Sequence, residues 1–191
     1  VMAAIYGGRT LVLQRQFDVE GWMQLVQDEK VHRAMMVPTM LKMLMDSEKF
    51  HDFDLSSLSV ITYGAAPMPL EVIKKAIVEF PNTRFINAFG QTETASTITM
   101  LPPEDHDIKE DDPEFEKKLN RLASIGKPLP DVEVKIVNED GGDVSQILPL
   151  LINFLNLQRA VEFVVGAGVW GPLATDLTVL HLGIATSLEL R

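Results

Sequence analysis

Residues 59–88 have the sequence SVITYGAAPMPLEVIKKAIVEFPNTRFINA, in which two short apolar runs flank an amphipathic stretch. Residues 59–63 and 84–88 are rich in β-branched and aromatic side chains, so each run predicts a strand. Pro69 suits the first turn of a helix between them. Apolar side chains then recur at helical spacing and predict one buried helix face, made of Val72, Ile73, Ala76, Ile77 and Phe80. On the exposed face, Glu71 and Lys75 predict an i,i+4 ion pair.

The same alternation of strand and helix extends upstream. Residues 10–13 and 34–37 are apolar runs that predict strands, the second ending at Pro38. Asp18 suits a helix N-cap. Two helices are predicted from their apolar spacing, with Val19, Trp22, Met23 and Val26 in the first and Leu41, Leu44 and Met45 in the second. Strands that are apolar almost throughout are typical of a parallel sheet covered on both faces. The sequence therefore predicts an α/β fold, a parallel sheet with flanking helices.

Glycine-containing segments follow the two strands of residues 59–88. Residues 63–67 are Tyr-Gly-Ala-Ala-Pro, and residues 87–94 are Asn-Ala-Phe-Gly-Gln-Thr-Glu-Thr. In open α/β sheets, ligands bind beyond the carboxyl ends of the strands, and right-handed crossovers place these ends at one edge. The second segment offers an aromatic face, a close backbone approach, a hydroxyl and a carboxylate, which suit a nucleotide and Mg²⁺. The two segments therefore predict the floor and wall of one nucleotide pocket.

The composition changes downstream of these segments. Residues 104–118 hold eight acidic residues against three lysines, which favours a solvated surface loop over a metal site. Residues 126–130 predict a turn, residues 132–137 a strand with one wetter face, and residues 138–142 a hairpin-type turn.

From residue 144 onward the chain is poor in charge. Its apolar runs are too short to cross a bilayer, which favours burial in a protein core over membrane contact. We therefore expect a partial domain over residues 1–140 and a divergent apolar tail of unassigned fold over residues 141–191.

The bulk composition excludes several classes of function. The 191 residues carry a formal net charge of −10, and the 17 lysines and arginines are scattered, so nucleic acid is not an expected partner. The chain has no cysteine, hence no disulfide or thiolate zinc site, and its composition suits the reducing cytoplasm. The four histidines lack metal-ligand spacing. The chain begins with Val1 and shows neither a signal peptide nor a transmembrane segment, and we expect it to begin inside a longer protein.

Three segments resemble, in order and spacing, the motifs of one enzyme family. Residues 64–67, Gly-Ala-Ala-Pro, are similar to the glycine/alanine-rich loop of the AMP-forming adenylating enzymes, which include acyl-CoA synthetases, luciferases and the adenylation domains of peptide synthetases. Residues 87–93 resemble the family's aromatic-Gly-x-Thr-Glu motif, and residues 125–128, Ile-Gly-Lys-Pro, resemble its later Gly-x-Pro segment. The resemblance covers residues 1–140 and implies the central part of the family's large N-terminal domain.

This resemblance implies an activity and its cofactors. In this family a carboxylate attacks the α-phosphate of ATP, pyrophosphate leaves, and a thiol, commonly that of coenzyme A, captures the acyl-adenylate. The implied protein is a Mg²⁺-dependent ligase that joins a small or fatty carboxylic acid to coenzyme A. The implied partner of this chain is the remainder of the full-length enzyme.

The resemblance also assigns roles to individual residues. Thr92 would donate to the α-phosphate, and Glu93 would ligate the Mg²⁺ that neutralises the leaving pyrophosphate. Tyr63 and Ala95 would contact the acyl chain. Phe89 would stack on adenine, and the rest of the nucleotide pocket would comprise Gly64, Ala65, Ala66, Pro67, Asn87, Ala88, Gly90 and Gln91. Taken without the family, Phe89 also suits a core aromatic at a strand end, and Thr92 and Glu93 suit a helix N-terminus.

Other motifs of the family have no counterpart in the chain. The Ser/Thr/Gly/Lys-rich phosphate loop, the Tyr-x-x-Gly-Asp ribose motif, the arginine after it and the C-terminal lysine are absent. We therefore expect the chain alone to lack complete adenylation, because groups that position and neutralise ATP are missing. Two alternatives stay open: a catalytically silent remnant that binds nucleotide or a partner, and a piece of a peptide-synthetase adenylation domain.

Overall fold

The computed structural model describes residues 2–94, 96–109, 111–130, 132–137, 162–167 and 178–181. The chain divides into two compact units, Val1–Phe85 and Ile86–Arg191.

The first unit combines helices with parallel strands. Its helices are α1 (Met2–Tyr6), α2 (Val19–Glu29), α3 (Pro38–Met45) and α4 (Leu70–Glu79), and a 3-10 turn covers Phe50–Asp52. Strands β1 (Arg33–Met36) and β2 (Val60–Gly64) pair in parallel, with Arg33 opposite Val60 and Met36 opposite Tyr63. Strand β3 (Arg84–Gln91) begins in this unit, where the Arg84 N–H donates to the Ser59 carbonyl at 3.0 Å. The predicted α/β class, with parallel strands and flanking helices, is confirmed.

Local sequence signals set the helix ends in this unit. Asp18 caps α2 as predicted, since its Oδ2 accepts a hydrogen bond from the Gly21 N–H at 2.7 Å. At the other end, Lys30 adopts a left-handed conformation, and its N–H donates to the Val26 carbonyl. Pro38 lies in the first turn of α3, where a missing N–H breaks no helical bond. This proline thus both ends β1 and begins the next helix.

The core of the first unit comes from the apolar faces that periodicity predicts. In α4, Ile73 and Ala76 are fully buried, and Phe80 follows them as a buried C-cap. The other two residues of the predicted buried face, Val72 and Ile77, are only half-buried. The Phe80 ring packs edge-on against Phe50 and Phe85, with centroids 5.3 and 6.3 Å apart. Other buried apolar residues of this unit are Met23, Val26, Met36, Leu41, Leu44, Met45, Leu58, Val60, Ile61 and Tyr63.

The predicted strand at residues 10–13 is wrong. This run adopts no regular structure, and Leu11, Val12 and Leu13 are exposed. A preference for β-structure expresses how well a side chain fits a half-buried sheet. No described strand pairs with this run, so its apolar composition alone does not make it a strand.

The predicted Glu71–Lys75 pair is also wrong. Glu71 lies 3.8 Å from Lys74 instead. Lys75 Nζ donates to the Met45 carbonyl and to Asp46 Oδ1, both at 3.0 Å. The end of α3 provides two acceptors to this ammonium group, whereas Glu71 provides one exposed carboxylate.

The second unit consists mainly of antiparallel strands. Strand β3 pairs with β4 (Ser96–Leu101), and β4 pairs with β5 (Lys127–Pro128). A three-stranded antiparallel sheet is formed by β6 (Val132–Val137), β7 (Glu162–Ala167) and β8 (Thr178–His181), and helix α5 covers Phe115–Leu122. The predicted strand at residues 132–137 is confirmed. The prediction of a turn at residues 126–130 is wrong for Lys127 and Pro128, because pairing with β4 extends them into a strand.

The acidic residues 104–118 are mostly exposed, as their charge predicts, but they do not form one irregular loop. They include part of a 3-10 turn, Pro103–Asp105, and the first residues of α5. Asp105 is 6% exposed and accepts a hydrogen bond from Arg121 Nη1 at 2.6 Å. Lys118 Nζ donates to Asp112 Oδ2 at 2.7 Å and to the Asp107 carbonyl at 3.0 Å. These contacts fold the segment back onto α5.

The remaining predictions concern the end of the chain. The predicted turn at residues 138–142 lies outside the described residues, and of the tail from residue 144 only β7 and β8 are described. The boundary at residue 140 stays a prediction. None of the helices in the described ranges combines the length and the hydrophobicity needed to span a bilayer.

Candidate functional site

The first predicted site segment lies at the end of β2. Tyr63 and Gly64 are the last two residues of this strand, and both are buried. Burial raises the pKa of the Tyr63 phenol above its usual value. Ala65, Ala66 and Pro67 follow in an exposed bend. The segment therefore joins a fixed strand end to a short accessible surface.

Ala65 has a φ of 64°, which lies in the left-handed region. This region is disfavoured for a residue with a Cβ, and such outliers cluster at ligand-binding sites. The positive-φ glycines of the described ranges are Gly8 and Gly126, so the sharp turn is made at Ala65 and not at Gly64.

The second predicted segment lies mostly inside β3 and not after it. Residues 87–91 belong to this strand and are half-buried, Phe89 among them. The pairing of β3 with β4 shifts between Phe89 and Gly90: Phe89 faces Thr99, whereas Gly90 faces Thr97. The extra residue is Ile98 of β4, and such a bulge bends the strand that contains it.

Two side-chain contacts fix the strands around this segment. Asn87 Nδ2 donates to the carbonyl of the buried Ser124 at 3.2 Å. Thr99 Oγ1 donates to the Ile125 carbonyl at 2.7 Å. The third predicted segment, residues 125–128, is thereby attached to the hairpin that carries the second.

Thr92 and Glu93 lie in the 3-10 turn Thr92–Thr94 that follows β3. Thr92 is exposed. The side chain of Glu93 and the whole of Ala95 lie outside the described residues. Their roles as metal ligand and acyl contact therefore stay predictions.

Thr94 was not singled out by sequence reasoning. Its Oγ1 accepts from the Gln91 N–H at 3.0 Å and donates to the Gln91 carbonyl at 2.9 Å. Threonine three residues after a strand end is a known local signal, because its hydroxyl can bond nearby backbone groups.

The side chains of the second predicted segment are of chemical types that can bind a nucleotide. The half-buried Phe89 is of a type that can stack on a base, and the exposed Thr92 is of a type that can donate to a phosphate oxygen. No cluster of three or more metal-ligating side chains occurs within the described part of the chain. The single pocket formed by both segments stays a prediction.

A family model described as AMP-binding enzyme matches residues 1–147. The chain belongs to the AMP-binding enzyme family. This match confirms the resemblance to AMP-forming adenylating enzymes that three short motifs indicated.

Known ligases and synthetases of several kinds are similar to this chain. A medium/long-chain-fatty-acid–CoA ligase of Mycobacterium tuberculosis is 33% identical over 142 residues, or 74% of this chain and 23% of the relative. The amide bond synthetase of Marinactinospora thermotolerans has a TM-score of 0.65 and 26% identity, covering 83% of this chain and 28% of that one. The o-succinylbenzoate CoA synthetase of Bacillus subtilis, solved in complex with its acyl-adenylate intermediate, has a TM-score of 0.56 and 28% identity, covering 74% of this chain and 26% of that one. The AMP-binding chain thus spans about a quarter of the length of these proteins.

Proposed function

We propose that this chain carries part of the nucleotide site of an AMP-forming carboxylic acid–CoA ligase. The observation that carries the proposal is the segment 87–93, placed on a bulged hairpin in a chain whose residues 1–147 match the AMP-binding enzyme family. The relatives include a fatty-acid–CoA ligase and a CoA synthetase solved with an acyl-adenylate. By analogy, the complete protein would convert a carboxylic acid and ATP to an acyl-adenylate and pyrophosphate, and then to a thioester.

We assign the residues of the second unit to steps of nucleotide binding. The ring of Phe89 stacks on adenine, with Asn87, Ala88, Gly90 and Gln91 beside it. Thr92 donates its hydroxyl to the α-phosphate. Bound Mg²⁺ would neutralise charge on pyrophosphate as it leaves, and Glu93 is the residue we assign to hold it.

In the first unit we assign the exposed residues Ala65, Ala66 and Pro67 to the nucleotide, together with Gly64. Tyr63 is assigned to the acyl side, as is Ala95 of the second unit. Coenzyme A as acceptor, a fatty or small acid as substrate and a cytoplasmic location belong to the same proposal. The rest of the protein would provide the phosphate loop and the lysine that this chain lacks.

The proposal is tested by acid-dependent exchange of labelled pyrophosphate into ATP in the complete protein that contains this chain. Glu93→Gln is expected to slow the exchange by about 10²-fold or more, because Mg²⁺ would lose its carboxylate ligand and the charge of the transition state would be less stabilised. Glu71→Gln makes the same chemical change at an exposed residue of α4 and is expected to leave the rate unaltered. An unchanged rate in Glu93→Gln would rule out the metal role.

The same assay addresses the alternatives. The 191-residue chain by itself is expected to give no exchange, and clear exchange would contradict the missing-group argument. Absence of exchange from the complete protein with any acid of a broad panel would favour a nucleotide-binding remnant. Exchange dependent on amino acids would favour a peptide-synthetase adenylation domain.

A further inference from the structure

The side chain of Thr94 closes the turn that carries Thr92 and Glu93. Its hydroxyl contacts both backbone groups of Gln91, accepting from the N–H at 3.0 Å and donating to the carbonyl at 2.9 Å. Gln91 is the last residue of β3, and Thr94 is the last residue of the 3-10 turn. The two bonds therefore join the end of the strand to the end of the turn. We name this pair of bonds the Thr94 clasp.

The clasp restrains the backbone at the point where the strand becomes a turn. Where a strand leaves its hydrogen-bonded ladder, the last N–H and carbonyl need other hydrogen-bond partners. Here the Thr94 hydroxyl bonds to both of these groups of Gln91. Thr92 and Glu93 are the two residues between the bonded positions, so their backbone lies within the closed ring. Thr94 is half-buried, which limits the competition of water for these bonds.

A bulge in the partner strand β4 lies on the other side of the same segment. The register changes between Phe89 and Gly90, and Ile98 of β4 is the residue passed over. Ile98 is 4% exposed, and its carbonyl accepts from the Leu129 N–H at 2.9 Å. The bulge is thus anchored in the second unit. Gly90 and Gln91 lie between this bulge and the clasp.

We propose that Thr94 is a positioning residue of the nucleotide site. Its hydroxyl holds the turn in the geometry in which Thr92 and Glu93 meet the phosphates and their Mg²⁺, without itself contacting the ligand. This inference rests on the proposed function. It predicts that loss of the hydroxyl affects the use of Mg²⁺ more than it affects the fold.

The test compares three variants of the complete protein. Thr94→Val keeps the shape and removes the hydroxyl, whereas Thr94→Ser keeps the hydroxyl. Thr83→Val is the matched control in the first unit, since Thr83 Oγ1 donates to the Leu58 carbonyl at 2.8 Å and Thr83 is not an assigned site residue. The Mg²⁺ concentration that gives half-maximal pyrophosphate exchange is measured for each, together with kcat and KM for ATP.

Thr94→Val is expected to raise the half-maximal Mg²⁺ concentration about tenfold, as for the loss of hydrogen bonds of ordinary strength. Thr94→Ser and Thr83→Val are both expected to keep the half-maximal Mg²⁺ concentration of the unaltered protein. An unchanged Mg²⁺ requirement in Thr94→Val overturns the inference. Equal losses in Thr94→Val and Thr94→Ser also overturn it, because the hydroxyl would then not be the cause.

A second measurement follows the clasp without any reaction. Amide hydrogen exchange of the peptide containing Gln91 is expected to be about tenfold faster in Thr94→Val and unchanged in Thr94→Ser. Equal rates in all three proteins would show that the clasp does not form, and this would overturn the inference. If the amide exchange rates are equal but the unaltered protein still exchanges pyrophosphate, the inference fails and the proposed function stands. No pyrophosphate exchange by the unaltered protein would overturn the proposed function, and this inference with it.

Discussion

Ala65 adopts a left-handed backbone conformation although it carries a Cβ. A non-glycine residue in this region costs roughly 1–2 kcal/mol. The side chain is exposed, so burial of its methyl group does not compensate that cost. At the scale of single residues, the strain lies in the segment that the family resemblance assigns to the nucleotide.

Ala65→Gly is therefore expected to stabilise the chain by about 0.5–1 kcal/mol, since relief of strain exceeds the added flexibility of the unfolded state. Urea unfolding followed by circular dichroism measures the change. Ala76→Gly serves as the control of opposite sign, because Ala76 is fully buried in α4, where glycine costs about 1 kcal/mol. A lower stability of Ala65→Gly would mean that the left-handed conformation carries no strain.

At the scale of elements, the pairing of β4 with β5 depends on a close approach at Gly126. This residue has a φ of 83°, and a Cβ built on it would lie 2.0 Å from the Met100 carbonyl oxygen. That atom belongs to the backbone of β4, which cannot move without breaking the ladder to β5. Glycine is required here because the positive φ and the close approach of β4 both exclude a Cβ.

Gly126→Ala is expected to disrupt the β4–β5 pairing and to destabilise the chain by about 4 kcal/mol or more. Gly8→Ala is the matched comparison, since Gly8 has a φ of 62° but nothing within 4 Å of a built Cβ. That variant should lose only about 1 kcal/mol, from backbone strain alone. Thermal unfolding of both proteins compares them, and similar losses would contradict the clash.

At the scale of the whole molecule, the protonation of His106 and of Asp54 makes the free energy of unfolding depend on pH. Burial lowers the pKa of His106 to about 4, although its Nδ1 donates to the Pro102 carbonyl at 2.9 Å and Asp105 and Glu104 oppose the shift. The pKa of Asp54 is lowered to about 2, mainly because Ser56 donates to its carboxylate from both hydroxyl and backbone. His106 therefore changes the stability of the chain at a higher pH than Asp54 does.

The sign follows from which state binds more protons. Below its usual pKa of 6.5 the unfolded histidine is protonated, while His106 in the folded chain stays neutral down to about pH 4. Stability therefore falls as the pH drops through this window, by roughly 2–3 kcal/mol between pH 7 and 4.5. Loss of the Asp54 contribution follows only at lower pH, from its usual 3.8 toward 2.

Urea unfolding at pH 7 and 4.5 measures this dependence. His106→Gln, which does not titrate, should have a flatter profile than the unaltered chain. Equal slopes for the chain and for His106→Gln would show that His106 does not stay neutral.

Much of the first unit could be predicted because its signals are local. The cap at Asp18, the proline at the start of α3 and the apolar stripe of α4 each depend on residues within two turns of each other. The motif at residues 87–93 was recognised in the same way. Predictions failed where a partner lies far away in sequence. Lys75 bonds to the end of α3, Asp105 is paired with Arg121 sixteen positions on, and residues 10–13 have no described strand beside them.

The sequence by itself determined the family, the α/β class and the residues that resemble the family's motifs, because short-range spacing and residue chemistry carry that information. Only the tertiary structure decided that the second motif lies on a bulged hairpin, that Ala65 makes the left-handed turn, and that Thr94 closes the turn after Gln91. Strand register and backbone conformation arise from the pairing of whole segments, and a short motif does not encode the partner with which its strand will pair.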